Sequence, residues 1–376
     1  MVGVGLIVHG GASRDVRRLT SLARTINLHE RANTVARVLA GLLAGGATVI
    51  RYMPEPDHIV ERALEQLAAV GRRPDATVEV GPVRLAGRAE AGEAAGTTAA
   101  AAMMAAERLD CIVTIGGDGT NRAVLTGWRD AVLVPLPGGT NNAFAIAVDP
   151  TAAGLAAARY AAHAVAGERF VRRRPLLEIT VPGVPPTIAA VDVAVVRGGW
   201  VGAHAIWDPD RLLEAIVARS DPTVAGLAGV GGVVHSLDGL PAALHLRFGG
   251  AGRAIMAPLG PGQLVPMAIR AWTVVHPGDV VILPDRSDAR SRGPVTLAFD
   301  GERELVLDGG RTATVAVVPD AVRILDVAAL LRHTAAVPSR GARAGAERAR
   351  SIRSARRSGR RRSSGRSLLR AGCDPR

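Results

Sequence analysis

Apolar residues in the first 150 positions follow two rhythms. Short runs at 5–8, 47–52, 77–80, 111–115 and 131–136 concentrate Val, Ile and Leu at neighbouring positions, as strands buried on both faces do. Between them, apolar residues recur at helical spacing: Val35, Val38, Leu39, Leu42 and Leu43 within 29–43, and Ile59, Val60, Ala63, Leu64 and Leu67 within 56–70. An alanine-rich helix is expected from 96 to 109. This alternation predicts a parallel α/β sheet. After a further alanine-rich helix at 151–165 the rhythm changes. Runs at 176–181, 187–196, 243–248, 254–257, 267–275, 280–283, 295–299, 304–307 and 312–317 are short, rich in β-branched residues and separated by Gly and Pro turns. They predict an antiparallel β-domain, with a helix at 208–219 inside it. Ile324, Leu325, Val327 and Leu330 read as a return to the first domain. The expected layout is therefore an α/β domain at 1–150, a β-rich domain at 151–330 and a tail at 334–376. The tail has no hydrophobic period and is expected to be disordered.

Composition narrows the function. A chain of 376 residues is long enough for two cores, and its 48% hydrophobic content is that of a globular protein. No apolar run is long or clean enough to span a bilayer, and residues 1–8 lack a basic leader, so a cytoplasmic protein is expected. The two cysteines, Cys111 and Cys373, offer neither a disulfide framework nor a thiolate metal site. The nine histidines lack ligand spacing, so no metal-ligating residues are assigned. All 46 basic residues are arginine. The absence of lysine excludes a Walker-A lysine, a protein-kinase strand lysine and a Schiff base.

The net charge of +12 suggests nucleic acid until it is located. Residues 340–376 hold thirteen arginines against Glu347 and Asp374, which leaves the body nearly neutral. A tail for nucleic acid or membrane surfaces and an extension without function both fit. The absence of aromatic residues among the arginines favours the second, so nucleic acid is not an expected partner of the body.

The candidate chemistry sits at the end of the 111–115 run, in Gly116-Gly117-Asp118-Gly119-Thr120-Asn121-Arg122. A strand that runs through glycines into a helix brings backbone N–H groups close to an anion. A carboxylate there would repel phosphate unless it meets magnesium or accepts a proton from an attacking hydroxyl, so Asp118 points to phosphoryl transfer. Helix capping is its structural alternative. The next run ends in a second turn, Gly138-Gly139-Thr140-Asn141-Asn142, and in an open α/β sheet two such turns can face one crevice. Thr140, Asn141 and Asn142 read equally as an ordinary turn with a cap. Arg122 is either a phosphate partner or an exposed arginine. Asp192, inside an apolar run, needs a partner or a ligand. Asp300-Gly301 reads as a β-turn, outside the catalytic set. His204, Trp207 and Asp208 are either acceptor contacts or a packed Trp with a capped helix.

These residues resemble the superfamily of NAD kinases and diacylglycerol/sphingosine-type lipid kinases, and most of all its ATP-NAD kinase-like acetoin catabolism protein X group. The resemblance spans about residues 5–330. Its pieces are 5–8, 116–122, 139–144, 191–193, 201–209 and 300–303. It implies an α/β domain joined to a β-sandwich-like domain, ATP (or another phosphoryl donor) and Mg2+ across the two glycine turns, and NAD as the leading acceptor. It further implies that Asp118 accepts the proton of the 2′-hydroxyl, that Gly116, Gly117, Gly119, Thr120, Asn121, Arg122, Gly138, Gly139, Thr140, Asn141, Asn142 and Asp192 contact nucleotide, and that the chain forms homo-oligomers. A lipid or polyol hydroxyl is the alternative acceptor, and a nucleotide-binding protein without turnover the alternative from another class. Three departures stand out: His9-Gly10 replaces the superfamily's Asn-Pro, Val191-Asp192 replaces its Asn-acid pair, and 238–242 lacks its Thr-, Pro-, Gly- and Ser-rich segment.

Overall fold

Strand β1 (Gly3–Val8) is buried along its whole length and lies between two parallel neighbours, β2 (Val49–Tyr52) and β4 (Cys111–Gly116). The computed structural model describes residues 1–9, 22, 26–85, 94–139, 142–198, 208–237, 239–301, 303–308 and 310–335. With β3 (Glu79–Pro82) beside β2 and β5 (Val132–Pro137) beside β4, these strands run in the order β3-β2-β1-β4-β5, all parallel. Helix α1 (Leu28–Gly45) starts where the Asn27 side chain accepts a hydrogen bond from the Glu30 N–H at 2.8 Å. It stops at Gly46, whose φ of 88° suits glycine. Helices α2 (Ile59–Ala69), α3 (Ala94–Ala106), α4 (Asp118–Gly127) and α5 (Pro150–Ala162) complete the α/β part.

The sheet does not end at β5. Strand β15 (Ala313–Leu325) pairs parallel to β5 through Arg323 and Ile324, then antiparallel to β6 (Val171–Val181), which pairs with β7 (Val184–Ala189). Strand β12 (Val280–Leu283) joins β15 as well, giving a nine-stranded mixed sheet. The second sheet is antiparallel, in the order β11-β10-β9-β8-β13-β14, built from β8 (Asp192–Arg197), β9 (Leu212–Val217), β10 (Ala243–Gly260), β11 (Gln263–Val275), β13 (Val295–Phe299) and β14 (Arg303–Leu307). Leu177, Ile179, Val181, Val315 and Val317 of the first sheet pack against Val193, Val195, Leu213, Ile216 and Phe299 of the second. Burial of each large apolar side chain is worth about 1.5–3 kcal/mol, so this contact holds the sandwich together. One layer of the sandwich is thus the antiparallel extension of the α/β sheet itself.

Two expectations change. Residues 208–219 form a short 3-10 turn, Pro209–Arg211, followed by β9 rather than a helix. All six β9 residues are buried, with Leu213 and Ile216 in the sandwich core and Leu212, Ala215 and Val217 on the opposite face. A strand covered on both faces shows no alternation, so its apolar run is ambiguous in sequence. The run at 187–196 is two strands in different sheets, split between Ala189 and Asp192. A helix that periodicity did not predict, α6 (Leu227–Val234), covers the outer face of the second sheet through Leu227 and Val230.

Chain contacts separate Met1–Leu330 from Leu331–Arg376. Of the latter, residues 331–335 are described, as the end of the helix Val327–Ala335. The rest of the arginine-rich tail, Gly10 to Ala12, Thr140, Asn141, His204, Trp207 and Asp238 lie outside the described residues. No helix among the described residues is long and apolar enough to cross a membrane.

Candidate functional site

The two glycine turns meet. Strands β4 and β5 are in register to their last residues, Gly116 opposite Pro137, and the Gly138 N–H donates to the Gly116 carbonyl at 3.0 Å. A Cβ on Gly138 would stand 2.7 Å from the Gly116 nitrogen, so glycine is required for this approach. On the first turn, Gly117 caps α4 in an extended conformation, and residues 118–125 are all buried. Asn121 is fully buried: its side-chain oxygen accepts from the Thr114 hydroxyl at 2.7 Å, and its amide donates to the Gly117 carbonyl at 3.1 Å. That pair ties the helix to the strand below it. On the second turn, Asn142 and Gly139 exchange two hydrogen bonds of 2.9 Å.

Asp118 joins the two turns. As the first residue of α4 its charge suits the helix N-terminus, and its carboxylate accepts from the Phe144 N–H at 2.8 Å and the Ala143 N–H at 3.2 Å. It lines a small cavity of about 30 Å³ together with Ala143, Asp192, Ala225 to Ala228, Leu259, Asp300 and Gly301.

Asp192 stands at the first position of β8, on this cavity. Sequence reasoning missed the residue that holds it there. Asp300 is buried and accepts from the N–H groups of Ala190 at 2.9 Å, Val191 at 2.8 Å and Asp192 at 3.0 Å, while its own N–H donates to the Asp192 carbonyl at 3.0 Å. Its backbone is left-handed at φ 49°, a conformation aspartate tolerates better than most residues. This carboxylate splits the 187–196 run by claiming the amides where the chain passes from one sheet to the other. Complete burial pushes the Asp300 carboxyl upward in pKa, and Arg122 and the three amides oppose that push. Arg122 is itself buried, with Nε 3.8 Å from Asp300 Oδ2. The turn signal Asp-Gly was visible in sequence, but its partners lie 108–110 residues away.

The residues do not form a metal cage. Among the described residues no three His, Cys, Asp or Glu side chains are grouped to hold an ion, and the oxygens of Asp118 and Asp300 already accept backbone N–H groups.

Two larger pockets are present. One of about 480 Å³ adjoins the carboxylate cavity: Phe144 follows Ala143, Ala190 precedes Asp192 by two, and Ser220 to Thr223 lead into Ala225. The other, of about 720 Å³, lies at the end of β5 among α1, α2 and the start of α5, lined by Glu30, Arg37, Gln66, Arg72, Pro137 and Thr151. Both sizes are usual for small-molecule sites. The stretch 220–232, carrying Pro222, Thr223 and four glycines, borders the site and has no Asp-Gly directly before it.

Residues 4–165 match the model of the ATP-NAD kinase N-terminal domain, and residues 175–320 that of the acetoin catabolism protein X C-terminal domain. The chain is 31% identical to acetoin catabolism protein X of Cupriavidus necator over 343 residues, covering 88% of this chain and 91% of the relative. Among solved structures it superposes on a putative diacylglycerol kinase from Bacillus anthracis str. Sterne with a TM-score of 0.41 and 10% identity, covering 88% of this chain and 98% of that one. It superposes on yeast NADH kinase complexed with NADH with a TM-score of 0.41 and 12% identity, covering 90% and 89%. Superpositions that loose leave the family to be decided by the sequence matches.

Proposed function

Because the chain belongs to the acetoin catabolism protein X family, we propose that it is a phosphotransferase of the NAD kinase superfamily that moves the γ-phosphoryl group of ATP to the 2′-hydroxyl of NAD. The bond between the γ-phosphorus and the ADP oxygen breaks, and an ester forms to the acceptor oxygen. The hydroxyl proton goes to the Asp118 carboxylate, and the products are ADP and NADP. The observation that carries this reading is the placement of Asp118: a buried carboxylate at a helix N-terminus, pinned by the amides after the second glycine turn and facing a cavity. A carboxylate oxygen has more than one lone-pair site, so an amide contact does not by itself exclude an acceptor hydroxyl. The N-terminus of α4, at the end of β4, is the element that would orient a phosphoryl donor. A bound nucleotide would bring Mg2+ as its counter-charge. Two or more copies assembled together fit the same reading.

A coupled assay for NADP with ATP and NAD tests this. Wild-type protein is expected to form NADP, and Asp118→Asn to lower the rate by about 10²–10⁴-fold, the usual worth of a general base. Equal turnover by Asp118→Asn would remove Asp118 from the mechanism. Diacylglycerol in place of NAD tests the lipid acceptor.

A second reading has its own observation. Both Asp118 oxygens carry backbone hydrogen bonds, which is also how a purely structural carboxylate sits. In that case the protein binds nucleotide without turnover. Thermal stabilisation by NAD or ATP, with no phosphorylated product from any acceptor, is its signature.

A further inference from the structure

The 480 Å³ pocket has a charge opposite to that of the cavity beside it. Where Asp118, Asp192 and Asp300 line one, Arg174 and Arg219 line the other, across a wall formed by Ala143-Phe144 and the 190–192 crossover. Arg174 comes from β6 of the first sheet and Arg219 from the loop after β9 of the second, so the two guanidiniums approach from different sheets. Asp221 also lines the pocket, but it is occupied: it pairs with Arg219 Nη2 at 3.4 Å and accepts from the Thr223 hydroxyl at 2.6 Å and N–H at 3.0 Å. Arg172, on the same side of β6, is held by Asp326 at 2.5 Å. Arg174 has no acidic partner among the described residues, although it remains solvent-accessible. Burial, then the charges of Arg219 and Arg172, hold its guanidinium below its ordinary pKa. A fold that gathers like charges around a concave space and leaves one uncompensated carries a repulsion that an anion would relieve.

We propose that this pocket is an oxyanion site, in which the Arg174 and Arg219 guanidiniums hold a phosphate-class group of the compound to be phosphorylated. Guanidinium forks suit tetrahedral oxyanions, whose oxygens accept paired N–H donors. The apolar lining of Phe144, Pro175, Ala190 and Ile324 faces the remainder of the ligand. The Ser220 hydroxyl donates to the His235 carbonyl and keeps its acceptor positions, so it adds little for an anion, and the arginines carry recognition. Phe144, whose N–H fixes Asp118, also lines this pocket, so the site would anchor the acceptor beside the catalytic carboxylate. The link to phosphoryl transfer rests on the function proposed above; the anion site itself does not.

Titration calorimetry of inorganic phosphate and pyrophosphate into the full chain tests it, comparing wild type with Arg174→Gln, Arg219→Gln and Asp118→Asn. The tail arginines are common to all four, so differences among them report on the pocket. At least a tenfold rise in Kd is expected for Arg174→Gln, with Asp118→Asn unchanged. Affinities equal to wild type in both arginine variants overturn the site, as does a wild type that binds neither anion. Competition assigns the source: displacement of phosphate by NAD but not by adenosine points to the dinucleotide's pyrophosphate, and binding of phosphate undisturbed by NAD points to another phosphorylated acceptor. Phosphate binding that depends on Arg174, in a protein that makes no NADP, removes NAD as acceptor and leaves the site standing. NADP formation with an unchanged KM for NAD in Arg174→Gln separates the site from the acceptor.

Discussion

Asp118 and Asp300 are buried aspartates that do the same local work in the two halves of the molecule, and they differ in where they stand. Each accepts backbone N–H groups from a distant turn: Asp118 from 143 and 144, Asp300 from 190, 191 and 192. Asp300 is further matched to the buried Arg122. Three amides and a guanidinium surround the Asp300 carboxylate, whereas Asp118, which lines the same cavity, stands at the N-terminus of α4 where the two glycine turns meet. The comparison teaches that burial and backbone contacts do not separate a structural acid from a catalytic one. Position at the junction of the two glycine turns does.

The largest effect expected falls on the structural partner. Asp300→Ala takes the carboxylate from beside the buried Arg122 and from three N–H groups, and should lower unfolding free energy by about 3–5 kcal/mol, read by denaturant titration. A loss of about 1–2 kcal/mol would show that Asp300 is as dispensable to the fold as Asp118 is expected to be. Gly138→Ala comes next, because its methyl group meets the Gly116 backbone at 2.7 Å. Forcing the turns apart should cost about 1–3 kcal/mol, and should depress turnover along with stability because the amides that hold Asp118 move. Asp118→Asn should cost only about 1–2 kcal/mol in stability while removing most activity, the reverse of Asp300. Asn142→Ala, which gives up the paired bonds to Gly139, should cost about 1 kcal/mol and change turnover little, measured by thermal melt and the same coupled assay.

Sequence made the first half of this comparison legible and hid the second. Gly116 to Arg122 and Gly138 to Asn142 advertise themselves because strand, glycine and helix signals are contiguous, and the parallel sheet places consecutive strand ends side by side. Asp300-Gly301 carries only a local turn signal; its meaning depends on amides more than a hundred residues earlier in the chain. Strand β9 was misread for a related reason. Covered on both faces, Leu212–Val217 shows neither period, and Pro209 with Asp208 before it imitates a helix start. Arg174 and Arg219 were invisible as a pair because nothing in a sequence full of arginine marks two that face the same pocket from different sheets.

Strand β15 has a consequence for the order in which the molecule can be assembled. It covers the open edge of β5 with residues 323 and 324, contributes Val322 and Ile324 to the core beneath the glycine turns, and follows β5 in the chain only after every strand of the second sheet. Until it docks the parallel sheet has an unpaired edge, a template for pairing with another chain. A strand distant in sequence thus closes the sheet that carries the site, and any partly folded form in which β15 has not docked exposes the edge of β5 to other chains.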